Sequence, residues 1–122
     1  MKIYSKVDGR LLHIINRIHD FQGRKEMIPE DNFLQCATLR MEKGKTFPPH
    51  KHIIKDRHYP EQIAQESWVV IKGSVKCIFY DIDDKIIAEP ILKPGDASFT
   101  LYGGHTYEIL EDDTLVYEYK TG

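Results

Sequence analysis

Two histidines separated by one residue, His50-Lys51-His52, follow Gly44 by five residues, and further along Glu66 is followed after six residues by Gly73. On an extended segment, side chains two apart project to one side, so His50 and His52 present both imidazoles together. A carboxylate from a second strand, Glu66, can then close a facial metal site. A third imidazole, His105, stands in the stretch Gly95 to His105. The simpler reading of a lone His-x-His is a pair of solvated surface histidines. A glutamate buried beside histidines, by contrast, needs a cation to offset its desolvation.

The elements that must position these residues read as strands. Short apolar runs recur at Leu11 to Ile18, Phe33 to Met41, Trp68 to Ile71, Val75 to Ile82, Ile86 to Leu92, Ala97 to Leu101, Tyr107 to Leu110 and Leu115 to Tyr119. They are rich in β-branched and aromatic residues. Turn formers punctuate them: Asp8-Gly9, Lys72-Gly73, Asp83-Asp84, Pro94-Gly95-Asp96, Gly103-Gly104 and Asp112-Asp113. An all-β sandwich or small barrel follows. Pro48-Pro49 stiffens the approach to His50, and period-two alternation sets Glu66 on one face with Trp68 and Val70, and His105 with Tyr107 and Ile109. Trp68 and Tyr107, with Phe47 and Phe99, are expected to wall a pocket with a polar floor. The charged stretch 53–65, with Pro60, is read as a loop between the two halves of the motif.

At 122 residues the chain reads as one domain, 1–122, too short to hold a cofactor domain beside a substrate domain. A formal charge of −2 with a pI near 6.3, and scattered Lys and Arg, give no electrostatic footprint for nucleic acid or an anionic membrane. No run approaches the roughly 18 apolar residues a membrane span needs, and the first residues lack an apolar leader core. Cys36 and Cys77 sit in apolar stretches and read as buried, reduced thiols. Together these features point to a cytoplasmic protein whose partner is a small molecule.

The motif halves resemble those of the cupin family: Gly, five residues, His-x-His, then Glu, six residues, Gly. Here thirteen residues, 53–65, separate His52 from Glu66, and loop length of that kind costs little closure free energy. The second family motif is matched by Gly95-Asp96 and His105, one residue short, without its proline and with Ile109 where the family has asparagine. The resemblance implies an all-β, cupin-type double-stranded β-helix or jelly roll. Residues 1–32 would form an N-terminal strand region that pairs with a second subunit, and 33–122 the barrel with its inserted loop. It also implies His50, His52, Glu66 and His105 as ligands of a divalent transition metal, whether Fe, Mn, Ni, Co or Zn. A homodimer is expected, because a partner covers an exposed sheet edge.

The Gly103-Gly104-His105 stretch and Glu108 to Asp113 are also similar to small cupins associated with surface-polysaccharide and nucleotide-sugar biosynthesis. That similarity implies an isomerase or epimerase acting on a small polar metabolite such as a sugar or sugar nucleotide. An iron-dependent oxygenase and a non-catalytic small-ligand-binding module are the alternatives. Tyr107 and His58 are the candidates for moving a proton, although a loop histidine such as His58 is more simply solvated. Tyr117 and Tyr119 read as core packing, and His13 and His19 as structural or surface residues. Arg40 and Lys51 read as solvated charges rather than anion clamps, and Glu111-Asp112-Asp113 as a hairpin turn rather than a calcium loop.

Overall fold

The computed structural model describes residues 1–19, 23–40, 42–54 and 63–121. His58 and Pro60 lie outside the described residues. Eleven strands and no helix occur among them: β1 (Lys2–Tyr4), β2 (Leu11–Asn16), β3 (Gly23–Glu26), β4 (Ala37–Arg40), β5 (Glu66–Lys72), β6 (Val75–Tyr80), β7 (Ile86–Ala88), β8 (Ile91–Leu92), β9 (Ala97–Thr100), β10 (Gly104–Ile109) and β11 (Leu115–Lys120). No helix among the described residues is long and apolar enough to cross a membrane.

All pairings are antiparallel and fall into three sheets. The first has the order β1-β2-β9-β5-β11, and the second the order β10-β6-β7 with β8 also on β6. The third is the hairpin β3-β4. The expected strands thus form, with three differences. The run from Ile86 splits at Glu89-Pro90 into β7 and β8, because proline carries no N–H for the ladder. The run Phe33 to Met41 narrows to β4, preceded by Leu34 and Cys36 packed on the first sheet, with the Cys36 carbonyl accepting from Met27 N–H. Strands β1 and β3 were not expected; β3 is charged and fully exposed and has no apolar alternation to announce it. Residues 1–16 are built into the first sheet, where β2 pairs with β9.

Alternation along the strands of the first sheet sends side chains to two separate apolar layers. Ile3, Ile15 and Val70 meet Val75, Cys77, Phe79 and Leu92 in the cluster between the two large sheets. Ile14, Ala97 and Phe99 pack on the opposite face, beneath Met27, Ile28 and Leu34. The expectation that Phe99 lines the interior with Trp68 is therefore corrected: Phe99 belongs to the other layer. Phe47 is exposed. Tyr117 and Tyr119 are likewise not core residues. They are 61% and 57% exposed, and among the described residues those that pack on this face gather on Ile14, Ala97 and Phe99. Cys77 is buried and Cys36 half-buried, both as free thiols.

Tight turns join the strands. Asp113 takes a positive φ of 58° in the Glu111-Asp112-Asp113 turn before β11, a conformation that Asp tolerates better than most residues. Gly73, which ends the Glu66 motif, turns β5 into β6 at φ 83°, and a Cβ there would sit 2.9 Å from the Cα of Thr114. Both the backbone angle and the close approach require glycine. Gly73→Ala is expected to cost about 1–3 kcal/mol, read as a lowered urea midpoint with an unchanged m-value.

Candidate functional site

Register brings the site together. In the first sheet Thr100 of β9 lies opposite both His13 of β2 and Glu66 of β5, so all three point to the same face. One step along, Ser98 lies opposite Ile15 and Trp68. In the second sheet His105 and Tyr107 of β10 oppose Phe79 and Cys77 of β6. The two faces meet, and their polar groups form one connected chain.

His13 is fully buried and stacked on Phe79, with ring centroids 4.2 Å apart. Its Nε2 lies 3.2 Å from the carbonyl oxygen of Tyr80 and its Nδ1 3.1 Å from Thr100 Oγ1. Thr100 Oγ1 is in turn 2.9 Å from His105 Nδ1, which also lies 3.2 Å from the Tyr107 hydroxyl. The Tyr107 hydroxyl reaches Ser98 Oγ at 3.2 Å. Burial lowers the pKa of His13 from 6.5 to about 4, so this ring is neutral at pH 7 and has a single N–H.

The proton positions follow from one fixed end. A carbonyl oxygen only accepts, so His13 carries its proton on Nε2 and donates it to Tyr80. His13 Nδ1 must then accept the Thr100 hydroxyl proton. Thr100 Oγ1 is left to accept from His105, which places the His105 proton on Nδ1. His105 Nε2 faces Glu66 Oε2 at 3.7 Å. That separation is too long for a hydrogen bond. A lone pair and a carboxylate facing each other repel unless a proton or a cation stands between them.

Aromatic groups flank the pair. Trp68 stacks on Tyr107, ring centroids 3.8 Å apart and planes 5° from parallel, and its Nε1–H donates to Glu118 at 2.9 Å. That hydrogen bond is the largest influence holding the Glu118 carboxyl below its usual range. Burial raises the Tyr107 phenol well above the normal tyrosine range. Tyr107 thus stays protonated at neutral pH, as a hydrogen-bonding group rather than a base. Burial also pushes the Cys77 thiol up to about 12, which keeps it un-ionised.

Of the four expected ligands, Glu66 and His105 come together. His50 and His52 lie on the exposed segment 42–54, which has no regular secondary structure. Their rings are 5.5 Å apart, and His50 Nδ1 is engaged by the Pro48 carbonyl at 3.1 Å. Among the described residues no group of three or more His, Cys, Asp or Glu is gathered for a metal ion. Sequence reasoning read His13 as structural or surface and did not single out Thr100. Their only signal was an isolated histidine in an apolar run and a threonine in a short strand, and neither reveals a partner 87 residues away. Set against protein-family models, curated proteins and solved structures, the chain gives no significant match.

The buried neutral His13 makes stability depend on acidity. Its pKa is lower in the folded than in the unfolded chain, so its contribution is complete above pH 6.5 and is lost as pH falls toward about 4. The loss over that window is about 3 kcal/mol. Urea unfolding of the wild type across this range is expected to show the decline, and His13→Gln to flatten it.

Proposed function

We propose that this protein is a small cupin of jelly-roll type that holds a divalent transition metal through Glu66, His105, His50 and His52 and acts on a small polar metabolite. The observation that carries the reading is the approach of His105 Nε2 to the Glu66 carboxylate at 3.7 Å within the sandwich. The donor chemistry fits such an ion. A metal-ligating histidine ordinarily donates its second N–H to a neighbouring acceptor, and His105 does so toward Thr100. Two further imidazoles complete a borderline N3O set suited to Fe, Mn, Ni, Co or Zn.

Completion of the set requires the segment 47–54 to reach the pair, and the open edge of β10 supplies a place. β10 ends its sheet with no strand paired to its outer side among the described residues. Ile53 and Ile54 are 70% and 102% exposed, an arrangement that favours burial by strand addition. In such a strand His50, His52 and Ile54 share one face, which the reading requires to be that of His105. The 55–65 link then returns the chain to Glu66.

The activity best supported is isomerisation or epimerisation of a sugar or sugar nucleotide. When bound, the metal supplies Lewis acidity toward a substrate carbonyl or enediolate oxygen. Glu66 and His105 hold and orient it, Thr100 and His13 fix the His105 tautomer, and the protonated Tyr107 offers a hydrogen bond. Trp68 with Tyr107 forms a flat apolar wall beside the pair. No residue is assigned as the base.

Untagged protein is expected to contain near-stoichiometric transition metal by elemental analysis, and Glu66→Gln, His105→Ala or His52→Ala to lose most of it. Wild-type metal content in His105→Ala would overturn the reading. Thr100→Val, which removes the acceptor of the His105 proton, is expected to weaken metal affinity 10–100-fold. Titration of stripped protein followed by the single Trp68 reads that change. Turnover of a sugar-nucleotide panel without oxygen uptake separates the isomerase from an iron-dependent oxygenase, and tight binding without turnover identifies a ligand-binding module.

A further inference from the structure

The β3–β4 hairpin forms a sheet of its own, and β3 is exposed at every position. A two-stranded hairpin of this kind contributes little stability by itself. Its arms and the turn that follows, residues 23–26 and 37–47, hold Arg24, Lys25, Arg40, Lys43 and Lys45 against Glu26 and Glu42. Five basic and two acidic residues give a net charge of +3 there, which leaves −5 for the rest of a chain whose total is −2. Cations scattered along the sequence are thus gathered on one part of the fold.

A groove of about 430 Å³ lies between the hairpin and the turn. Arg24 stands opposite Leu39 in the ladder, so both face the same side of the hairpin. After β4 the chain reverses through a turn in which Lys45 N–H donates to the Glu42 carbonyl and Gly44 takes φ 89°. That reversal brings Lys43, Lys45 and Phe47 to the groove, which Arg40 also lines. Leu39 and Phe47, 37% and 56% exposed, supply its apolar surface. Arg24 commits Nε to Glu26 Oε1 at 2.6 Å, while its terminal nitrogens have no acceptor among the described residues. Lys43 has none either, and Lys45 Nζ lies 5.7 Å from the centroid of the Phe47 ring, without a carboxylate among the described residues.

Charge and volume together define the occupant. With Glu26 on Arg24, the remaining charges of the groove are Arg40, Lys43 and Lys45 against Glu42, a net of +2. A phosphomonoester carries about −1.5 to −2 at neutral pH and balances that charge, whereas a single carboxylate leaves a cation uncompensated. Leu39 and Phe47 line the same concavity as the cations, so an apolar stem lies in the groove with its phosphate. The volume is that of a small-molecule site. We infer that this groove binds a small phosphomonoester on an aromatic or short apolar stem, with the phosphate held by Arg24, Lys43 and Lys45 and the stem against Phe47 and Leu39. Arg40, read from the sequence as a solvated charge, adds its field at the wall. The groove shares no residue with the Glu66–His105 pair, and the inference does not rest on the metal reading.

Titration of the metal-stripped full chain with phenyl phosphate, followed by amide chemical shifts, is expected to give saturable changes confined to 23–26 and 39–47. Phenyl phosphate should bind about tenfold more tightly than inorganic phosphate, through its ring, and phenol not at all. Affinity should fall as sodium chloride is added. Lys43→Glu/Lys45→Glu should weaken phenyl phosphate about tenfold or more, Phe47→Ala should bring it to the level of inorganic phosphate, and Lys72→Gln on β5 should change nothing. Circular dichroism and Trp68 fluorescence confirm the fold of each variant. Absence of saturable binding, shifts spread over other lysines, or full affinity in Lys43→Glu/Lys45→Glu would overturn the inference. So would equal affinity for phenyl phosphate and inorganic phosphate in the wild type, or capture by phosphatidic acid vesicles without binding of phenyl phosphate, which assigns the groove to a membrane surface.

Discussion

The carbonyl oxygen of Tyr80 is the fixed end from which the interior of this protein takes its order. It can only accept a hydrogen bond, and His13 is too deeply buried to carry a second proton. From those two facts the protons of His13 and Thr100, and the one on His105 Nδ1, each have one position. The last consequence is that His105 turns its Nε2 toward Glu66. A carbonyl four strands away in chain order from His13 thus orients the ring nitrogens of His105. Such a relay explains why a polar row is retained inside an otherwise apolar sandwich: each member is satisfied except at the end where an incoming group would bind.

The two sides of the first sheet divide the labour. The layer beneath Met27, Ile28 and Leu34 packs Ile14, Ala97, Phe99 and Leu101, with Ser67 and Asn16 the buried polar residues opposite Phe99 and Ala97. The layer between the large sheets mixes Phe79, Cys77 and Val70 with the His13–Thr100–His105 row. Stacking of His13 on Phe79 and of Trp68 on Tyr107 gives the polar row rigid walls, so the imidazoles and the carboxylate are held by packing as well as by hydrogen bonds. Asp81 ties this arrangement to the N-terminal turn. Its carboxylate accepts from the Ser5 hydroxyl and the Lys6 N–H, which joins the β1–β2 corner to the end of β6.

Much of the fold was legible because its signals are local. Alternation in 75–80 and 115–120, and turn residues such as Asp83-Asp84 and Asp112-Asp113, announce strands and hairpins without any long-range information. Where burial depends on what covers a face, the reading failed. Tyr117 and Tyr119 have the pattern of core residues, yet they are exposed. Phe99 has the same local appearance as an interior residue and lies in the other layer. The charged hairpin β3-β4 had no apolar period to reveal its first strand.

Residue types and spacing, by themselves, determined an all-β chain, the turn glycine at 73 and the candidacy of Glu66 and His105. Those follow from side-chain periodicity and from donor chemistry, which are properties of neighbours in sequence. Only the tertiary structure decided that Glu66 and His105 meet, that His13 sets the tautomer of His105, and that β11 presents an aromatic edge. These depend on strand register and on sheet order, which are fixed by pairing between segments distant in the chain and leave no trace in any short stretch of it.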